Sequence, residues 1–142
     1  MIESTSLSRL QGIGLAPQWI PEARDTGLQL LRVTEVQREG LQLHDGEREH
    51  GARALPALLN ELAAASDALA VGDWVLAERN AFGEWWVRRR LPPRTQIARR
   101  LHDGRDKVTR VVIVSNVDTV LVAMGLDGDW NPRRLERYLA LT

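Results

Sequence analysis

The chain is predicted to be mainly β: a five-stranded barrel with a helix before its fourth strand, followed by the opening strand, loop and helix of an incomplete α/β layer. Three observations predict this. Between residues 28 and 91, short β-rich runs are separated by glycine-containing turns. One stretch among them, residues 56–70, takes on the Ala- and Leu-rich texture of a helix. Beyond residue 110 the apolar runs become nearly unbroken, as in strands covered on both faces of a parallel sheet.

Residues 1–27 carry few regular signals. Gly12, Gly14, Pro17, Pro21 and Gly27 punctuate them, so they read as a lead-in arm with at most a short helix, anchored by Trp19 and Ile20. Residues 28–37 form the first strand, and Glu39-Gly40 turns it. Leu41 and Leu43 alternate with Gln42 and His44 in a second, half-buried strand. Asp45-Gly46 is a hairpin signal leading to a third strand, about 47–55. Pro56 suits a first helical turn, Leu58, Leu59, Leu62 and Leu69 follow near helical spacing, and Ser66-Asp67 break the helix. Residues 71–77 and 84–91 are the fourth and fifth strands, joined by Ala81-Phe82-Gly83.

Three strands, a helix and two strands in this order match an OB-type Greek-key barrel, with an SH3-like barrel as the rival. Pro92-Pro93 ends it, because proline cannot continue a paired strand. The expected organisation is an arm (1–27), a barrel (28–93), a basic linker (94–110) and an incomplete α/β start (111–142). In the last part, residues 111–114 and 119–124 read as buried strands. Asn131 is a good N-cap, Pro132 takes the first helical position, and Leu135, Tyr138 and Leu139 form an apolar stripe. Strands without neighbours expose apolar surface and unpaired backbone, so this part is expected to self-associate, swap between copies or tuck against the barrel.

Charge is unevenly spread. Residues 1–84 hold 7 basic and 13 acidic side chains; residues 85–110 hold 9 basic and 2 acidic; residues 111–142 hold 3 basic and 4 acidic. The basic block is Arg88, Arg89, Arg90, Arg94, Arg99, Arg100, Arg105, Lys107 and Arg110. Eight of these nine are arginine, whose planar fork suits phosphate, so a polyanion partner is expected. Pairing of these arginines with the acidic amino-terminal part is the competing reading. Trp85 and Trp86 point to opposite faces of the fifth strand. Trp85 shares its parity with Val87 and Leu91, the core side; Trp86 shares its parity with Arg88 and Arg90, the outer side. There Trp86 either stacks on a base or packs under the arm. Arg89 falls on the core parity and needs a bulge or the barrel rim.

Chemistry is sparse. Gly46 and Gly51 have phosphate-loop spacing, but Ala52-Arg53 stand where Lys-Ser/Thr would be. The stretch Asp127-Gly128-Asp129-Trp130-Asn131 starts like a calcium loop, yet Pro132 and Tyr138 replace the required Gly and Glu. The chain has no cysteine, and His44, His50 and His102 lack ligand spacing. No signal peptide and no membrane span are recognisable, so a soluble cytoplasmic protein is expected.

Several segments together carry a resemblance. Val71-Gly72-Asp73-Trp74-Val75, Leu91-Pro92-Pro93-Arg94, Asn116-Val117-Asp118 and the run from Leu126-Asp127-Gly128-Asp129-Trp130-Asn131-Pro132-Arg133-Arg134 through Leu135-Glu136-Arg137-Tyr138-Leu139 occur in order. Their spacing resembles that of the ribosome small subunit-dependent GTPase A family, and the stretch from Gly12 to Ile20 resembles that family's lead-in. Thr109-Arg110 replace a glutamine usual in its linker. The resemblance implies the amino-terminal part of a longer protein. A circularly permuted GTPase domain using GTP and Mg would follow, then a carboxy-terminal Zn module. The full protein would hydrolyse GTP, stimulated by the small ribosomal subunit, late in that subunit's maturation. GTP would favour the bound state and hydrolysis would trigger release.

The barrel would dock on ribosomal RNA near the decoding region, through Trp86, Arg88, Arg90, Arg94, Arg99, Arg100, Arg105, Lys107 and Arg110. The chain itself has no complete GTP-binding motif and is expected to be inactive, with no catalytic residue, cofactor or metal of its own. The alternative is a protein-interaction barrel binding an acidic partner.

Overall fold

A computed structural model describes residues 4–24, 26–102, 104, 108–125, 128 and 130–140. The arm comprises helix α1 (Ser4–Gly12), a 3-10 turn (Pro17–Trp19) and the single-turn helix α2 (Ile20–Ala23). The barrel strands are β1 (Gln29–Val36), β2 (Leu41–His44), β3 (Glu49–Ala54), β4 (Trp74–Arg79) and β5 (Trp85–Arg90), with helix α3 (Pro56–Ala64) before β4. They close in the order β1-β2-β3-β5-β4 and back to β1. Only β3 and β5 run parallel; the other pairs are antiparallel. This is the OB-type order, and closure leaves no edge strand in the barrel.

The barrel interior is packed by Leu31, Val33, Leu41, Leu43, Val75, Ala77, Trp85 and Val87, and α3 covers one opening with Leu58 and Leu62. The helix ends where expected: Ser66 adopts φ 54° and Leu69 reaches the core from beyond the helix. A second core lies between the outer face of the barrel and the arm. There Leu10, Leu15, Trp19 and Ala23 cover Leu30, Trp74, Leu76 and Leu91. Trp19 packs 6.0 Å from Trp74, centroid to centroid, and its indole N–H donates to the Pro92 carbonyl at 3.0 Å. The arm therefore anchors through Trp19 as expected, but with more helix than its glycines and prolines had indicated.

The unbroken burial of Trp74, Val75, Leu76 and Ala77 follows from these two cores, one on each face of β4. Leu91 also belongs to the arm side rather than to the barrel interior. A register shift between Leu76 and Ala77 explains this. Leu76 pairs with Arg89 and Ala77 pairs with Val87, so Arg88 is the extra residue of a bulge and the alternation inverts after it.

The segment read as a linker is largely strand. β6 (Gln96–His102) and β7 (Val108–Ser115) form an antiparallel hairpin. Asp103-Gly104 is a hairpin signal in the sequence that the surrounding charge obscures, and Gly104 adopts φ 76°. Exposed hairpin faces tolerate arginine, so charge did not argue against strand here. β7 contains residues 111–114 but is not sandwiched in a parallel sheet. Ile113 is about half exposed, and the parallel pairing of β7 is a single bridge, Val114 to Val71. Residues 119–124 are not a strand; Leu121 is 91% exposed and no strand among the described residues pairs with them. A strand exists only with a ladder partner, which an apolar run does not supply by itself. Helix α4 (Pro132–Leu139) forms as expected, with the Asn131 side chain accepting from the Arg134 N–H at 3.3 Å. Of the calcium-like loop, Asp127 and Asp129 lie outside the described residues.

The hairpin is fastened to the barrel. Asn116, at φ 57°, donates its amide N–H to the Gly72 carbonyl at 2.9 Å and accepts from the Arg94 N–H at 2.8 Å. Its backbone N–H donates to Thr95 and its carbonyl accepts from Arg32. Arg32 also donates to the Ile13 carbonyl and lies over the Trp74 ring at 5.6 Å. One guanidinium thus touches arm, barrel and hairpin base.

At the β2–β3 turn, Asp45 accepts from the Glu47 and Arg48 N–H groups at 2.8 and 2.9 Å and pairs with His50 at 2.7 Å. Burial opposes its charge, but these hydrogen bonds outweigh burial and hold the carboxyl at about 2. A depressed folded-state value stabilises the fold above the ordinary carboxylate pKa, and that gain is lost as pH falls toward 2. Solvent screening at this turn weakens the effect, so Asp45→Asn is expected to cost at most about 1 kcal/mol at neutral pH and to flatten the fall in stability between about pH 4 and pH 2. Urea titrations at stepped pH check this; parallel profiles for the two proteins would contradict it.

Candidate nucleic-acid interface

The structure divides the expected basic strip into committed and uncommitted arginines. The three on β5 are committed. Arg88 donates to Glu78, with its Nε at 2.8 Å. Arg89 leaves the barrel at the bulge and pairs with Glu22 of the arm at 3.0 Å. Arg90 is withdrawn furthest: its side chain is 11% exposed, bonds Asp67 at 2.5 Å and lies 3.8 Å from Asp73.

Asp73 is fully buried. Burial pushes its carboxyl up, against the Ala70 N–H, the Ser115 hydroxyl and Arg90, which favour its charge. Asp67 goes the other way: burial again opposes its charge, but Arg90 and the Ala68 N–H outweigh it. Arg90 therefore serves the polar joint between β5, the loop before β4 and the hairpin base, rather than the outer surface expected for it. Pairing with the amino-terminal acids, the competing reading of the basic block, thus describes the β5 arginines.

The arginines after the barrel differ. Arg94, Arg99 and Arg100 are exposed and have no acidic partner among the described residues. Arg110 is exposed and, among the described residues, donates to the neutral Gln96 side chain, at 3.0 Å. Arg100 and Arg110 are directly opposite in the hairpin ladder. Like charges so placed repel, and an anion between them would remove the repulsion. Arg105 and Lys107 lie outside the described residues.

Trp86 is half-buried on the outer face of β5, opposite Arg53 on one side and Glu78 on the other. It is not part of the core that forms under the arm. A cation that sequence reasoning missed lies here: Arg53 is exposed and has no acidic partner among the described residues. Only the parallel β3–β5 pairing, which a sequence does not display, brings it beside Trp86.

Comparison with known proteins finds relatives that share one name. The chain is 41% identical over 80 residues to the small ribosomal subunit biogenesis GTPase RsgA of Leptospira interrogans, covering 56% of this chain and 22% of that protein. It is 39% identical over 111 residues to the RsgA of Xanthomonas campestris pv. campestris, covering 78% of this chain and 29% of that one. The chain is RsgA-like. RsgA of Xanthomonas oryzae pv. oryzae matches to the same extent, 39% over 111 residues. The chain spans less than a third of the length of these RsgA proteins. No family model matches the chain, and no solved structure matches it significantly.

Among the described residues, no cluster of three His, Asp or Glu side chains could hold a metal ion. None of the described helices is long and apolar enough to cross a membrane.

Proposed function

We propose that this chain supplies a ribosomal-RNA-binding surface of a cytoplasmic GTPase acting in late maturation of the small ribosomal subunit. Hydrolysis of GTP with Mg, and a Zn module, would reside in the parts of the RsgA proteins that this chain does not span, and the chain alone would be inactive. The observation that carries this reading is the set of exposed arginines without acidic partners among the described residues, Arg94, Arg99, Arg100 and Arg110, on and beside a hairpin fastened to a barrel of OB-type order. Guanidinium groups so placed bind phosphate oxygens in pairs and displace counterions. The relatives' names, small ribosomal subunit biogenesis GTPase, support ribosomal RNA as the polyanion.

Arg88 and Arg89 can join this surface, because exposed ion pairs are worth only about 0–1 kcal/mol and exchange readily for phosphate. Arg90 cannot do so without breaking the joint it holds. Trp86 would add stacking. Since stacking is nearly independent of salt, Trp86→Ala is expected to weaken RNA binding by about 1–3 kcal/mol and leave the salt slope unchanged. Fluorescence anisotropy with small-subunit ribosomal RNA fragments across a salt series tests this. An unaltered affinity in a folded Trp86→Ala protein would remove it from the interface. Cosedimentation with small subunits, challenged by free ribosomal RNA, separates RNA binding from docking on an acidic protein. Binding that survives the RNA challenge would favour the protein partner.

A further inference from the structure

Phe82 has no role in the fold described above. It is 90% exposed at the tip of the β4–β5 turn. The turn that carries it is well fixed. The Asn80 side chain accepts from the N–H groups of Phe82 and Glu84, each at 2.9 Å, and donates to the Glu84 carboxylate at 2.7 Å. The Asn80 N–H donates to the Glu84 carbonyl, the Gly83 N–H donates to the Asn80 carbonyl, and Arg79 donates to the Gly83 carbonyl at 3.2 Å. Gly83, at φ 80°, allows the reversal. The ring is thus presented to solvent on a pre-ordered support, which reduces the entropy lost when a partner covers it.

Trp86 follows four residues later, a separation of about 14 Å at most along an extended chain. Beside Trp86 is Arg53, exposed and without an acidic partner among the described residues. The two carboxylates closest along these strands are engaged, Glu78 by Arg88 and Glu84 by Asn80. The barrel end therefore offers two aromatic rings and one uncommitted guanidinium. Interleaved rings and cations suit a single strand, whose bases stack and whose phosphates pair. An apolar pocket on a protein would use the ring alone.

We propose that Phe82 stacks on an unpaired RNA base and that Arg53 contacts the adjoining phosphate, extending the Trp86 contact along the outer face of the barrel. This rests on the RNA-binding reading above. The test is anisotropy of the full chain with a short single-stranded RNA of mixed sequence, across a salt series. Phe82→Ala is expected to lower affinity about tenfold with an unchanged salt slope, and Phe82→Tyr to restore it. Phe82→Leu, which would still fill an apolar pocket, is expected to bind like Phe82→Ala. Arg53→Gln is expected to lower affinity and flatten the slope by about 0.7. Phe82 is almost fully exposed and Arg53 is exposed, so all four proteins should melt like wild type.

If Phe82→Ala binds RNA as wild type does while reversal of Arg99, Arg100 and Arg110 abolishes binding, this proposal fails and the RNA-binding reading stands. Retention of affinity by Phe82→Leu would also overturn it. If wild type itself does not bind the RNA, the reading on which it rests fails as well.

Discussion

Gly72→Ala is expected to destabilise the protein by about 3 kcal/mol and to release the hairpin from the barrel. Gly72 adopts φ 91°, where a side chain adds roughly 1–2 kcal/mol of backbone strain. A methyl group there would overlap the Ser115 carbonyl oxygen, a backbone atom that cannot swing away. Overpacking of this kind costs about 1–3 kcal/mol. The clash lies where the two parts are joined. The Gly72 carbonyl accepts from Asn116, its N–H donates to the Val33 carbonyl at 2.8 Å, and the Ser115 N–H donates to the Val71 carbonyl at 2.8 Å.

Relief therefore requires moving the hairpin base or the loop before β4. For a chain of this size the melting temperature should fall by about 10 °C. Trypsin should then cut faster at Arg94, Arg99 and Arg100. Calorimetry and timed proteolysis check both. A Gly72→Ala protein that melts within about 1 °C of wild type would show that the joint is not as close as described.

Much of this fold is legible in the sequence because local chemistry decided it. Asp45-Gly46 turned β2 into β3, Pro56 opened α3, Asn131-Pro132 opened α4, and the order of strands about one helix identified the barrel. What escaped depended on partners distant in the chain. The arm's helices owe their burial to Trp74 and Leu76, so the weak local signals of residues 1–27 understated them. The bulge at Arg88 appears only when β4 and β5 are paired, and it sends Arg89 to Glu22 and Arg90 to Asp67. In residues 94–110 charge suggests a linker, whereas an exposed hairpin has no face that must be apolar. Residues 119–124 mislead in the opposite sense, since apolar content predicts burial only where a neighbour exists.

For the interface, the sequence located the basic block but could not sort it. Arg99, Arg100 and Arg110 differ from Arg90 not in type or spacing but in what the fold puts beside them. Trp86 was placed on the outer face by parity alone, correctly because it precedes the bulge. Phe82 and Arg53 carried no signal as single residues; they gain one only as an ordered turn and a strand neighbour.

Reversal of the hairpin charges tests the central claim most directly. Arg99→Glu, Arg100→Glu and Arg110→Glu, combined in one protein, replace three uncommitted cations on an exposed hairpin and touch neither core. The fold should keep its wild-type melting temperature. Every phosphate of single-stranded RNA that is no longer neutralised lowers the slope of log affinity against log salt by about 0.7, so the slope should shrink by about 2. Affinity for small-subunit ribosomal RNA fragments at low salt should fall by roughly two or more orders of magnitude, as counterion release is forfeited and repulsion is added. The measurement is anisotropy of wild type and triple variant with the same RNA, from low to physiological salt. A folded variant with much weaker binding and a flatter slope is the predicted result; wild-type affinity with an unchanged slope would contradict it.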